Sequence, residues 1–363
     1  MGVGVSAHRL AGSVARLGAV GTLSSVDLRR HHADLMARTA RLRDKRAIDA
    51  ANLEALDREV RAALKLANGH GMVAVNVMRA VSEYSAYVRQ ACASGAQAIV
   101  VGAGLPLDLP ELVADYPDVA LIPILSDARG IGVVIRKWQR KGRLPDAIVI
   151  EHPGHAGGHL GAASATDVND PRFDFATVLA GAKALFAELG IAPARIPLIV
   201  AGGIDSHAAV REMLALGAAA VQLGTAFAVT EESDAHANFK RVLAEAKPED
   251  IVTFTSVAGL PARAVRTPWL EAYLDKLPAL VRRAKARREC TLAFDCLATC
   301  GLRDGLARFG QFCIDLQLAA ALKGDVKRGL FFRGTGRLPF GAEIRPVRDL
   351  ITYLLTGTAP AAA

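Results

Sequence analysis

The stretch 147–161 reads AIVIEHPGHAGGHLG, a buried-strand run over 147–150 that empties into a glycine-rich turn carrying His152, His155 and His159. Strands that end in such turns are where α/β proteins keep their chemistry, because a rigid sheet presents polar groups at its carboxyl edge. Gly157 and Gly158 let backbone approach a flat or anionic ligand closely, and His159 follows them directly. A proton carrier held against ligand-binding backbone points to catalysis. A metal reading of the three histidines is set aside, because Glu151 is the only nearby carboxylate and the glycines give the imidazoles no rigid spacing.

Outward from this turn the same unit repeats. Short apolar runs at 19–23, 72–77, 98–101, 120–124, 147–150, 198–201 and 219–223 alternate with helical patterns at 31–66, 82–95, 173–189 and 207–216. Strands alternating with helices predict a parallel sheet. Seven strands are one short of a (β/α)8 TIM barrel, and MGVGVS at Met1 reads as the loop after a strand. The expectation is therefore a barrel whose first strand is missing at the N-terminus or replaced by another segment; an open doubly wound sheet is the alternative. The alternation fades beyond about Asp250. We therefore expect a cofactor-binding barrel domain over 1–250 and a lid with a mostly helical C-terminal extension over 251–363.

Composition agrees with such an interior. Hydrophobic residues make up 52% but aromatics only 5%, so small aliphatic side chains must fill the core. No apolar run reaches the length of about 18 residues that a membrane helix requires, and no signal layout opens the chain, which makes a cytoplasmic protein without a membrane partner the default expectation. The net charge of +8 could attract nucleic acid, but the basic residues are dispersed. Their densest cluster, RRAKARR at 282–288, lacks interleaved aromatics and reads as a solvated helix face, so no nucleic-acid partner is expected. A small-molecule substrate is expected instead; a homo-oligomer is compatible with the sequence.

Two further strand ends suggest an anion site. LIVAGGI (198–204) closes on Gly202 and Gly203, and AVQLGT (220–225) closes on Gly224 and Thr225. Either could be a mere tight turn, but in adjacent units they present backbone N–H groups as the last two loops of a barrel do to phosphate.

Five cysteines remain. Cys92 reads as a small buried hydrophobe, whereas Cys290, Cys296, Cys300 and Cys313 cluster with the spacing C-x5-C-x3-C-x12-C. An iron–sulfur ligand set, a structural zinc site and four free thiols all stay open; zinc fits less well because only the x3 interval matches its usual close pairs.

In order along the chain, MGVGVS, AGGHLG, VAGGIDS, VQLGTAFAVTEES and SVAGLPARAVRTPW resemble the nitronate monooxygenase family of FMN-dependent barrel enzymes, formerly 2-nitropropane dioxygenases. The resemblance runs from Met1 to about Trp269. It implies FMN as cofactor, with Asn76, His152, Gly157 and Gly158 along the flavin, Gly202, Gly203, Gly224 and Thr225 at its phosphate, and His159 as the catalytic histidine. The implied reaction is oxidation of alkyl nitronates to a carbonyl compound and nitrite with O2. The scaffold is also similar to NAD(P)H-dependent reductases of enoyl thioesters or quinones, and a non-enzymatic redox-sensing module is a third reading. His152 and His155 stand where the family has glutamine and glutamate. Met78, Tyr84 and Tyr87 follow the Asn76 strand end and are candidates for substrate contact or for ordinary packing. The last three tail cysteines resemble part of the [4Fe–4S] motif of iron–sulfur flavoenzymes related to old yellow enzyme.

Overall fold

The computed structural model describes residues 3–287, 289, 290, 292, 294 and 296–359. Seven parallel strands form one curled sheet: β1 (Val20–Ser24), β2 (Met72–Met78), β3 (Ala98–Gly102), β4 (Ala120–Leu125), β5 (Ile148–Glu151), then, after the two-residue β6 (Gly158–His159), β7 (Leu198–Ala201) and β8 (Ala220–Gln222). Neighbours in the sheet follow chain order, β1-β2-β3-β4-β5-β7-β8. An open doubly wound sheet would reverse direction at a switch point; this one never does, so the architecture is that of a TIM-type α/β barrel. Among the described residues no strand pairs between β8 and β1.

The two faces of the strands explain the composition. Ala74, Ala98, Val100, Ile122 and Val149 pack with one another on the concave side, while Val73, Val75, Ile99, Val101 and Leu121 join the helices outside. Small side chains fit the narrow lumen, and all five residues of β3 are buried as a strand covered on both faces requires. The pattern over 31–66 is broken into a 3-10 turn (Leu28–His31) and the helices Ala33–Thr39 and Lys45–Ala67. Asp44 causes the second start: its carboxylate accepts from the N–H groups of Arg46 at 2.9 Å and Ala47 at 3.3 Å, capping the long helix.

The region after 250 is less helical than its sequence suggested. Residues 251–265 form a hairpin, β9 (Ile251–Thr255) and β10 (Pro261–Val265), and β10 also pairs antiparallel with β6, setting Ala262 opposite His159. Four β-branched residues among the five of IVTFT favour this over helix. A later segment continues the sheet: Val265 N–H donates to the Phe331 carbonyl at 2.9 Å, and Phe332 bridges Ala264. Between the helix Pro268–Arg282 and residue 346, the described helices are only Gly301–Asp304 and Ile314–Leu322. The basic cluster therefore starts at a helix end and runs on past it instead of lying along its face, with Arg288 outside the described residues. Side chains that tie carbonyls together replace helix here. The Gln311 amide donates to Gly301, Leu306 and Phe309, and Arg303 to Leu297 and Ala298. No helix among the described residues is long and apolar enough to cross a membrane.

Candidate active site

The carboxyl ends of the strands gather the predicted residues on one rim. Register places Ser24, Asn76 and Val100 side by side, and the β5 loop turns over this edge before β6 carries His159 under β10. Asn76 is half-buried, and its amide bonds no described residue, which leaves it available to a ligand. His159 is the sharper case. Its Nε2 is buried without a hydrogen-bond partner, and its ring lies 5.7 Å from that of Phe332. Burial lowers its pKa to about 4, so the imidazole is neutral at pH 7 with a lone pair free to take a proton.

His159 belongs to the wall of a small, mostly apolar pocket. Val3, Val26, Met78 and Val81 line it from the barrel side, and Cys296, Leu297, Ile314, Asp315, Leu318 and Phe332 from the tail. Met78 both lines the cavity and packs on the main core. Tyr84 and Tyr87 do not line it; both are buried in the main core.

The other loop histidines have different work. His152 was expected at the cofactor, but its Nδ1 accepts from Gly154 N–H at 3.0 Å while Nε2 faces Asp174 at 3.6 Å and the ring meets Phe175. The imidazole is spent on holding the turn, and burial lowers its pKa. His155 instead ties the loop to the tail. Its carbonyl accepts from Thr335 N–H at 3.0 Å, and its Nδ1 lies 3.2 Å from the Thr335 hydroxyl.

The glycine strand ends form a cradle. Gly202 and Gly203 both have positive φ, 101° and 76°, a succession that only glycine adopts without strain and that turns neighbouring N–H groups to one side. Among the described residues the N–H groups of Gly202, Gly203 and Gly224 meet no acceptor, and nothing lies within 4 Å of where a Cβ on Gly224 would stand. Thr225 closes the cradle by accepting from Gly334 N–H at 3.1 Å. A Cβ on Gly157 would come within 2.4 Å of the Gly334 nitrogen, so the loop and tail touch backbone to backbone.

Three contributors were missed in the sequence reading. Arg263 on β10 is buried and donates from Nη1 to the Pro153 carbonyl at 2.9 Å and the Ala156 carbonyl at 2.5 Å, clamping the histidine loop. Arg333 binds the carbonyls of Leu243 and Gly334, steadying the RGTG turn at 333–336. Phe332 covers His159. The glycine pair in RGTG, after two phenylalanines, was the available signal. Glu151, at the end of β5, is pushed up to about 7 by burial, opposed by the Arg263 guanidinium.

The tail cysteines are drawn into one neighbourhood. The Phe294 carbonyl receives both Cys290 Sγ at 3.5 Å and Cys296 N–H at 2.6 Å, and Gly301, next to Cys300, abuts Gly310 so closely that a Cβ would lie 2.3 Å from its oxygen. All four are free thiols, and among the described residues no three His, Cys, Asp or Glu side chains form a group that could hold a single metal ion. Cys92 is buried in its helix.

A sequence model of the family described as nitronate monooxygenase matches residues 1–357. The chain belongs to the nitronate monooxygenase family. A probable nitronate monooxygenase of Bacillus subtilis is 34% identical over 124 residues, 34% of this chain and 33% of the relative. The nitronate monooxygenase of Pseudomonas aeruginosa is 34% identical over 120 residues, 33% and 31% of the two chains. These matches span about a third of the length of the curated relatives. Solved structures extend the likeness of fold to nearly the whole chain. Nitroalkane oxidase from Streptomyces ansochromogenes superposes with a TM-score of 0.64 at 19% identity, covering 98% of this chain and 92% of its own. FabK from Thermotoga maritima does so with 0.62 at 21%, covering 97% and 88%.

Proposed function

We propose that this family member is an FMN-dependent enzyme that oxidises alkyl nitronates, and nitroalkanes it first deprotonates, to a carbonyl compound and nitrite using O2. The observation that carries the reading is His159: a neutral imidazole with an unpartnered buried nitrogen, on a residue that lines an apolar pocket. The residues fit the cofactor. Gly202, Gly203 and Gly224 offer unbonded N–H groups to its phosphate, Thr225 stands at the same place, and Asn76, Gly157 and Gly158 would pass along the ring system. Bound FMN would supply the two-electron redox chemistry that no side chain here can perform.

The chain's own part is positioning and proton handling. Val26, Met78, Leu297 and Leu318 surround the alkyl group and exclude water, which strengthens every charge interaction inside. His159 Nε2 takes the proton α to the nitro group, and the imidazolium so formed is stabilised by the negative nitronate beside it. Phe332 lies against the imidazole, and Arg263 holds the loop that leads to it.

Purified FMN-loaded protein given propyl nitronate under air should consume oxygen and release nitrite. Oxidation of NADPH with a quinone or an enoyl thioester, without nitrite from the nitronate, would instead show a reductase.

A further inference from the structure

We propose that Asp315 sets the specificity of the pocket and selects nitro compounds that carry a hydroxyl group at the end remote from the nitro carbon. The nitro end rests on the nitronate reading above; the hydroxyl end follows from the pocket and the residues behind it.

The lining decides where a polar contact can be made. Apart from His159, Cys296 and Asp315, the described residues that line the pocket present only hydrocarbon or thioether side chains. His159 comes from β6 and Asp315 from the first turn of the helix Ile314–Leu322, where it is 2% exposed. With His159 assigned to the proton α to the nitro group, Asp315 is left to meet the other end of the substrate.

Its carboxyl is held by one oxygen. Arg30 Nη2 donates to Asp315 Oδ2 at 2.7 Å, while Oδ1 is buried and has no hydrogen-bond partner. Arg30 is itself fixed, because its Nε donates to Asp27 Oδ2, and Asp27 Oδ1 accepts from Arg29 Nε at 2.7 Å. Asp27 is fully buried and its backbone is left-handed, with a φ of 51°, a conformation that persists only where the surroundings impose it. A bridge that merely fastened the tail to the barrel would use both carboxyl oxygens, as Asp27 does. Asp315 keeps one in reserve, and a buried acceptor without a donor costs free energy that a donor on the ligand removes.

A hydroxyl is the donor that fits. It can donate to Oδ1 when the carboxyl is ionised and accept from it when protonated, whereas an ammonium group can only donate. Arg29 and Arg30 already match the two carboxylates in charge, so an ammonium would enter an apolar pocket uncompensated. A carboxylate at the same end would face Asp315 as a like charge.

Inert carboxylates shaped like the nitronates read this without turnover. γ-Hydroxybutyrate stands in for the nitronate of 3-nitropropanol, and pentanoate for that of nitrobutane. Titrated calorimetrically into full-length, FMN-loaded protein, γ-hydroxybutyrate should bind at least about tenfold tighter than pentanoate, the effect of one hydrogen bond to a charged group. Asp315→Leu should erase the preference. If that variant fails to fold, combining it with Arg30→Met strands no charge and leaves Asp27 its Arg29 partner. Equal affinity for the two carboxylates, tighter binding of pentanoate, binding of neither, or a preference that survives in either leucine variant would overturn the assignment. Nitrite release plays no part in these outcomes, so the hydroxyl preference and the nitronate reading can fail independently.

Discussion

The barrel rim and the tail that packs on it are built by opposite means. On the rim each candidate group sits within a few residues of a strand end, and the sheet register sets its place: Asn76 on β2, the loop after β5, the glycines after β7 and β8. In the tail, Cys296, Leu297 and Phe332 come from irregular chain and Ile314 and Asp315 from the start of a short helix, in a segment that Arg303, Gln311 and Arg333 hold by binding carbonyls. The barrel wall inherits its rigidity from the fold, whereas the tail wall owes its rigidity to those few side chains. Chemistry is therefore expected to follow the first and fit to substrate the second.

The largest effect should come from the barrel wall. His159→Ala is expected to lower turnover of neutral nitroalkanes by about 10²–10⁴-fold while turnover of preformed nitronate falls much less, measured as nitrite release. Equal losses on both substrates would make His159 a binding group only. Next is the clamp between the walls. Arg263→Met leaves the Pro153 and Ala156 carbonyls without their buried donor, at about 1–3 kcal/mol for each stranded acceptor, read as a lower midpoint in urea unfolding. Gly157→Ala forces a Cβ into the Gly334 backbone and should cost about 1–3 kcal/mol, with weakened flavin retention. The smallest change is expected on the tail wall: Phe332→Leu keeps most of the apolar surface, costs under about 1.5 kcal/mol, and should raise KM several-fold with little change in kcat.

The sequence carried the barrel wall well and the tail wall poorly, for a physical reason. A short continuous apolar run that ends near glycine is a local pattern, so β5, β7 and β8 and the residues at their ends can be read without knowing what they touch. His207–Leu216 is legible in the same way. Arg263 could not be singled out, because a buried arginine on a strand looks like any surface arginine until its carbonyl partners, 110 and 107 residues away, are in place. Phe332 and the RGTG turn depend likewise on pairing with β10. His152 shows the converse: it shares one loop with His159, and its contacts with Asp174 and Phe175 could not be read from that loop alone. Helix is sparser between residues 283 and 346 than the sequence suggested, and side-chain bonds to carbonyls hold much of that segment.

Burial also gives His159 a signature in pH. Its folded pKa lies below the ordinary value of 6.5, so protonation is harder in the fold than in the unfolded chain. Stability owed to it is whole above about pH 6.5 and is lost as the pH falls toward 4.

The same shift allows the most direct test of the central claim, that a neutral buried His159 is the proton acceptor. The pH dependence of kcat/KM for a neutral nitroalkane should stay level from pH 7 to about 5 and fall only as His159 protonates, with an apparent pKa of about 4 that disappears in His159→Ala. A limb near 6.5, or a profile that His159→Ala leaves unchanged, would contradict it.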